Sequence, residues 1–199
     1  HKYDIGVTAY FNAGLNHEHT YLHQDWMVFD KEGKVLRGDR TKNFFRMPCY
    51  NTGFLDHLKA EVLEVVENYD VDGIFLDCMG PRPCYCHNCL EKMANEGVNV
   101  DDDNEVLAYS RRLIQSVEKS IRELIKKDIR IFFNTERPDN MPNLASHAEV
   151  ECLPAGHWGY DFLYPHAGYF RTKYEDLVYM TGRFADSWGD FGGIRPQVA

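Results

Sequence analysis

Several things this sequence does not have narrow it before anything it contains. No apolar run approaches the roughly 20 residues that a membrane-spanning helix requires. No cationic-then-apolar leader stands at the start, so no membrane partner is expected and the expected location is the cytoplasm. Positive charge is in deficit: 22 Lys and Arg face 31 Asp and Glu, a net of −9. A protein that grips phosphate backbones needs a basic face, so nucleic acid is not an expected partner. There are no internal repeats, no low-complexity stretches and no linker that would split the chain. The glycines of WGDFGG (188–193) lack the strand–G-x-G-x-x-G–helix setting of a dinucleotide site and read as turn glycines.

What is present fits one domain over 1–199. The chain is 44% hydrophobic and 14% aromatic, enough for one substantial core. It opens on His1, runs almost at once into the strand-like DIGVTAYF, and stops at WGDFGGIRPQVA without a closing element. We therefore expect an excerpt of a longer protein.

Strand and helix signals alternate. IGVTAYF (5–11) is apolar and β-branched and reads as a strand; residues 12–50 read as a long loop rich in His, Asn and aromatics. Phe54, Leu55, Leu58, Val62, Val65, Val66 and Tyr69 follow helical spacing over 54–68, with Asn51, Thr52 and Gly53 available to cap. VDGIFL (71–76) is the next strand, followed by a cysteine-rich loop and a helix over about 105–127 with acids before it and lysines at its end. IRIFFN (129–134), HAEVE (147–151) and LVYMTG (177–182) read as strands, with a short helix over about 166–175. Strands separated by helices imply right-handed βαβ units and a parallel sheet. The expected fold is therefore α/β. Five strands fit either a doubly wound sheet or part of a barrel, and the long loops after strands favour a (β/α)8 TIM barrel, incomplete here with about five βα units of the eight.

The chemistry concentrates at strand ends. Asp77 closes VDGIFLD, and period two places it on one face with Gly73 and Phe75. In a barrel that face points inward and Asp77 stands at the C-terminal rim, where barrel enzymes keep their reacting groups. The alternative is a carboxylate that caps the next turn or pairs with Arg82. Glu149 and Glu151 share one face of HAEVE, with Glu151 at the same rim. Two carboxylates converging on one rim suit glycoside hydrolysis, one attacking or stabilising the anomeric carbon and the other moving protons. The alternative for these glutamates is pairing with Arg137 or Arg183; Glu136 and Asp190 are rival acids. Asn134 ends a strand, where its amide suits a sugar hydroxyl as well as a turn. Trp158, Trp188, Tyr10, Phe11 and Tyr160 offer aromatic faces to sugar C–H groups, or simply pack. Arg183 and Asp190 join Asn134, Trp158 and Trp188 as expected substrate-binding residues. His17, His19 and His23 lie close in the first loop, either a metal trio or solvated side chains.

Cys84, Cys86 and Cys89 form a C-x-C-x2-C cluster, and tetrahedral zinc needs a fourth soft ligand. Cys49 suits that place best, with His87 next. All-protein ligation would make a closed, structural zinc site. The alternative is free cysteines or a disulfide among them.

The stretch ENYDVDGIFLDCMGPRPCYCHNCLEKM (67–93) resembles the hypothetical glycosyl hydrolase 6 family, whose members include alpha-L-fucosidases of glycoside hydrolase family 151. HAEVECLPAGHWGYDF (147–162) and MTGRFADSWGDFGG (180–193) look like signatures of the same family. The resemblance implies a barrel acting on glycosidic bonds of an oligosaccharide or other glycoside. It implies about strands three to seven here, and a trimerisation domain downstream, so that any homo-oligomer would form through regions absent from this chain. NYDVDGIFLD is also similar to the nucleophile strand of family 29 fucosidases, which carries that role onto Asp77. The cysteine run is similar to the zinc site of family 42 beta-galactosidases, which carries the ligand role onto Cys49, Cys84, Cys86 and Cys89. The expected function is a retaining alpha-L-fucosidase-like hydrolase with Glu151 as acid/base. The alternatives are a beta-galactosidase-like hydrolase, a non-catalytic carbohydrate-binding barrel, or a zinc-organised interaction module on a barrel scaffold.

Overall fold

In the computed structural model, residues 2–36, 46–134, 147–151, 168 and 177–180 are described. Five strands form one sheet: β1 (Thr8–Phe11), β2 (Gly73–Leu76), β3 (Arg130–Asn134), β4 (His147–Glu151) and β5 (Leu177–Met180). Their order across the sheet is their order along the chain, and every neighbouring pair is parallel. A doubly wound sheet reverses its direction of growth at a switch point. No reversal occurs among these five strands.

Four α-helices are described: α1 (His17–Leu22), α2 (Phe54–Asn68), α3 (His87–Asn95) and α4 (Asp103–Leu124). α2 covers the residues its spacing predicts. Phe54, Leu58, Val62 and Val66 recur every four residues and all four are buried; each contributes about 1.5–3 kcal/mol by leaving water. Thr52 Oγ1 accepts from the Phe54 backbone N–H at 3.3 Å. At α4, Asp102 is the cap, its carboxylate accepting from the Asn104 N–H at 2.9 Å. The buried stripe of α4 includes Ile114, Val117 and Ile121. These helices lie against the face of the sheet that carries Ile74, Leu76, Ile131 and Phe133, and one continuous core results.

Two sequence expectations need correction. The stretch 12–50 is not all loop, because α1 forms within it. Asn16 caps this helix by accepting from the His19 N–H at 2.9 Å. Six residues are too few to show a hydrophobic period. The cysteine-rich stretch likewise contains α3, which buries only Cys89 and Met93. Of the helix expected over 166–175, only residue 168 is described.

The opposite face of the sheet is barely covered by these helices. Tyr10, Phe75 and Phe132 sit on one rung of it. Their rings meet edge to face, Tyr10 to Phe75 at 5.5 Å and Phe75 to Phe132 at 6.5 Å. Tyr10 is 57% exposed. The chain thus separates a dry face from an open aromatic one by period two alone.

Candidate active site and cysteine cluster

Asp77 follows the last residue of β2, on the open face. Its carboxylate Oδ2 accepts from the Tyr10 hydroxyl at 2.5 Å. Its backbone is held on both sides: its N–H donates to the Phe11 carbonyl at 2.9 Å, and its carbonyl accepts from the Gly14 N–H at 3.0 Å. The next residue, Cys78, has φ 59°, the left-handed region that a residue with a Cβ enters at a cost. Gly14 packs directly on this turn. A Cβ there would stand 1.6 Å from the Cys78 carbonyl oxygen, so no larger residue fits. Arg82, weighed as a structural partner for Asp77, reaches the backbone on either side of this turn. Its two terminal nitrogens donate to the carbonyls of Gly14 and Cys78, each at 2.7 Å. Arg82 thereby braces the two loops that present Asp77. The crevice lined by Val28, Pro48, Tyr50, Arg82 and Leu113 runs toward α4 and does not include Asp77.

The backbone register locates the other strand-end residues. Leu76 pairs with Phe133, and Asn134 pairs with Glu149. Asp77, Asn134 and Glu149 therefore continue one rung across three strands. Glu151, the last residue of β4, is two residues farther toward the C-terminal rim and pairs with Met180. Tyr10, weighed as a sugar-stacking or packing ring, contributes a hydroxyl to Asp77 as well. Glu136, Trp158, Tyr160, Arg183, Trp188 and Asp190 lie outside the described residues.

The cysteine expectation is met in geometry. Cys49, Cys84, Cys86 and Cys89 are all buried, and their sulfurs lie within 4.8 Å of one another. Cys49 Sγ is 3.4 Å from Cys89 Sγ and 3.7 Å from Cys86 Sγ. None of the four is in a disulfide. Four sulfurs at about 2.3 Å from a central ion stand roughly 3.8 Å apart, so the donor set fits a tetrahedral ion. His87 begins α3 and is not in this group. Hydrogen bonds from Cys49, then Cys84 and Cys89, hold the Cys86 thiol well below the ordinary range. Those to Cys84, Cys86 and Cys89, together with burial, push Cys49 well above it. Such a set shares protons until a cation replaces them. Asn51, which the sequence marked only as a helix cap, supports the cluster. Its Nδ2 donates to Cys89 Sγ at 3.2 Å and lies 2.8 Å from the Tyr109 hydroxyl, and its Oδ1 accepts from Lys92 at 2.8 Å.

Of the first-loop histidines weighed as a trio, His19 and His23 have different neighbours. His23 stacks on Trp26, ring centroids 3.9 Å apart. His19 instead meets His57 and Glu61 of α2. The signal for that pair was in the sequence, since residues four apart share a helix face.

Comparison with known proteins gives four findings. Residues 1–78 match the family model of hypothetical glycosyl hydrolase 6. No curated protein matches the chain. The glycoside hydrolase domain of PelA from Pseudomonas aeruginosa superposes with a TM-score of 0.53 at 16% identity, covering 88% of this chain and 66% of that one, a likeness of fold. Alpha-L-fucosidase isoenzyme 2 from Paenibacillus thiaminolyticus is 34% identical over 97% of this chain, with a TM-score of 0.83, and the chain spans 30% of that enzyme's length.

Proposed function

We propose that this chain forms the larger part of the catalytic (β/α)8 barrel of a retaining glycoside hydrolase, one that acts on alpha-L-fucosides. The observation that carries the reading is Asp77: a strand-end carboxylate on the open face, oriented by Tyr10 and braced by its neighbours' backbones. The 34% identity to a fucosidase supports the sugar, and the unreversed strand order supports the barrel. In a closed barrel the aromatic rung would face the interior, and Asp77 would stand at the rim used for catalysis.

In this mechanism Asp77 attacks the anomeric carbon, and the glycosidic C–O bond breaks. Glu151 gives its proton to the departing oxygen, then takes one from the water that releases the sugar. The Tyr10 hydroxyl fixes the Asp77 carboxylate in one orientation, which favours a single line of attack. In this reading Asn134 is assigned to a sugar hydroxyl, and Trp158, Arg183, Trp188 and Asp190 to the rest of the binding surface. Asp77 and β4 are separated by one intervening strand, hence about 10 Å between backbones. The retaining reading requires the two carboxyl groups to converge to roughly 5–5.5 Å. Glu149 shares the rung of Asp77 and is the competing acid/base.

Cys49, Cys84, Cys86 and Cys89 would hold zinc. Bound there, zinc supplies folding energy and no reaction step. It would tie the loop before α2 to the loop after β2, the one that Asp77 opens.

The test uses aryl fucosides and aryl galactosides with the protein at its full natural length. Turnover of fucosides, lost in Asp77→Asn while sugar binding persists, supports the reading. Preference for galactosides would instead favour the beta-galactosidase-like alternative, and unchanged turnover in Asp77→Asn removes the nucleophile assignment. Among glutamate variants, Glu151→Gln should retain activity only on substrates with good leaving groups. If Glu149→Gln behaves so instead, the acid is Glu149.

A further inference from the structure

We propose a second metal site, separate from the cysteines, in which His19, His57 and Glu61 bind a borderline divalent cation such as zinc and clamp α1 to α2. His57 and Glu61 are one turn apart on α2, and His19 reaches them from α1. Glu61 Oε1 lies 3.5 Å from His19 Nε2 and 3.3 Å from His57 Nε2. The two imidazoles meet nearly at right angles, with centroids 4.0 Å apart. Nitrogen and oxygen ligands at about 2.0–2.2 Å on a tetrahedron lie about 3.3–3.6 Å apart, a range that holds both Glu61 distances, and all three ligand atoms lie within 4.8 Å of one another.

The partners of these atoms favour a cation over a simple ion pair. His57 Nε2 is shielded from solvent yet makes no hydrogen bond among the described residues. Its 3.3 Å approach to Glu61 therefore lacks the alignment of a hydrogen bond. An imidazole nitrogen without a hydrogen bond, grouped with a carboxylate and a second imidazole, is suited to coordination. Two imidazoles and a carboxylate are borderline ligands, the set zinc takes when a fourth position remains for water. The side chains of His19, His57 and Glu61 are 27%, 30% and 38% exposed, so solvent reaches the group. Trp26 covers another side, its ring 5.8 Å from His57 and stacked on His23.

The clamp would have a structural consequence. A six-residue helix is marginal in isolation. α1 belongs to the connection between β1 and α2, which also supplies Gly14 to the turn beside Asp77. Ligation at His19 would fix that connection to the rigid α2.

The test counts metal. The full chain, stripped with a chelator and refilled with Zn²⁺, should bind two equivalents by elemental analysis. His57→Gln and Glu61→Gln should each bind one, with the four clustered thiols still shielded from a thiol reagent. One equivalent in the unaltered chain, or two in both variants, would overturn the site. A second measurement needs no variant: Co²⁺ is added after one equivalent of zinc has filled the thiolates. The ring proton signals of His19 and His57 should then show paramagnetic shifts; unshifted signals in both rings contradict the proposal.

Discussion

At the scale of single residues, Asp77 and Tyr10 make the sharpest claims. A hydrogen bond to a charged group is worth about 1.5–3 kcal/mol. If the Tyr10 bond keeps Asp77 oriented for attack, Tyr10→Phe should lower kcat about tenfold to a hundredfold with KM little changed. Asp77→Asn should lower it by on the order of a thousandfold or more, because the covalent step itself is lost. Steady-state kinetics on one aryl fucoside reads both. Glu118 makes an independent claim about stability. It is fully buried on α4, both its oxygens lack a partner among the described residues, and burial pushes its pKa up to about 8. The folded state then keeps a proton that the unfolded chain releases near 4.5, so stability falls as pH rises from about 4.5 to 8. Glu118→Gln should stabilise the protein by on the order of 3 kcal/mol at pH 7 and flatten that slope. Denaturant midpoints across this range check it.

At the scale of elements, legibility in sequence followed the length of the pattern. Four turns of α2 repeat an apolar residue every four positions, and the predicted span is the one found. β2 and β3 are legible as apolar runs after helices, because a parallel sheet buries its strands. α1 and α3 were not legible: one is too short for a period, and the other buries two residues and owes its place to the cysteines. The rim was half legible. Asp77 stood out as an acid ending an apolar strand. Its bond to Tyr10 spans 67 residues, and only the strand register brings the two together. The junction of the β1 and β2 loops gives a test at this scale. Gly14→Ala should cost about 2 kcal/mol or more, since the added methyl overlaps the Cys78 carbonyl. Thermal unfolding reads it, and a change within about 0.5 kcal/mol would mean the two loops are not in contact.

At the scale of the whole molecule, two layers of helix and sheet build a dry core on one side and leave an aromatic, carboxylate-bearing face on the other. The cysteine cluster adds a second small core with Val28, Met93, Val106 and Tyr109. If zinc fills it, chelation should lower the melting temperature by on the order of 10 °C, reversibly on zinc return. No change on chelation would mean that packing alone holds these loops. The central claim is that Asp77 forms a covalent bond to the sugar. A fluorinated fucosyl fluoride slows release of that intermediate, and peptide mass spectrometry of the full-length protein then locates the label. The account predicts one fucosyl group on the peptide containing Asp77. A label on another carboxylate, or steady turnover with no label at all, would contradict it.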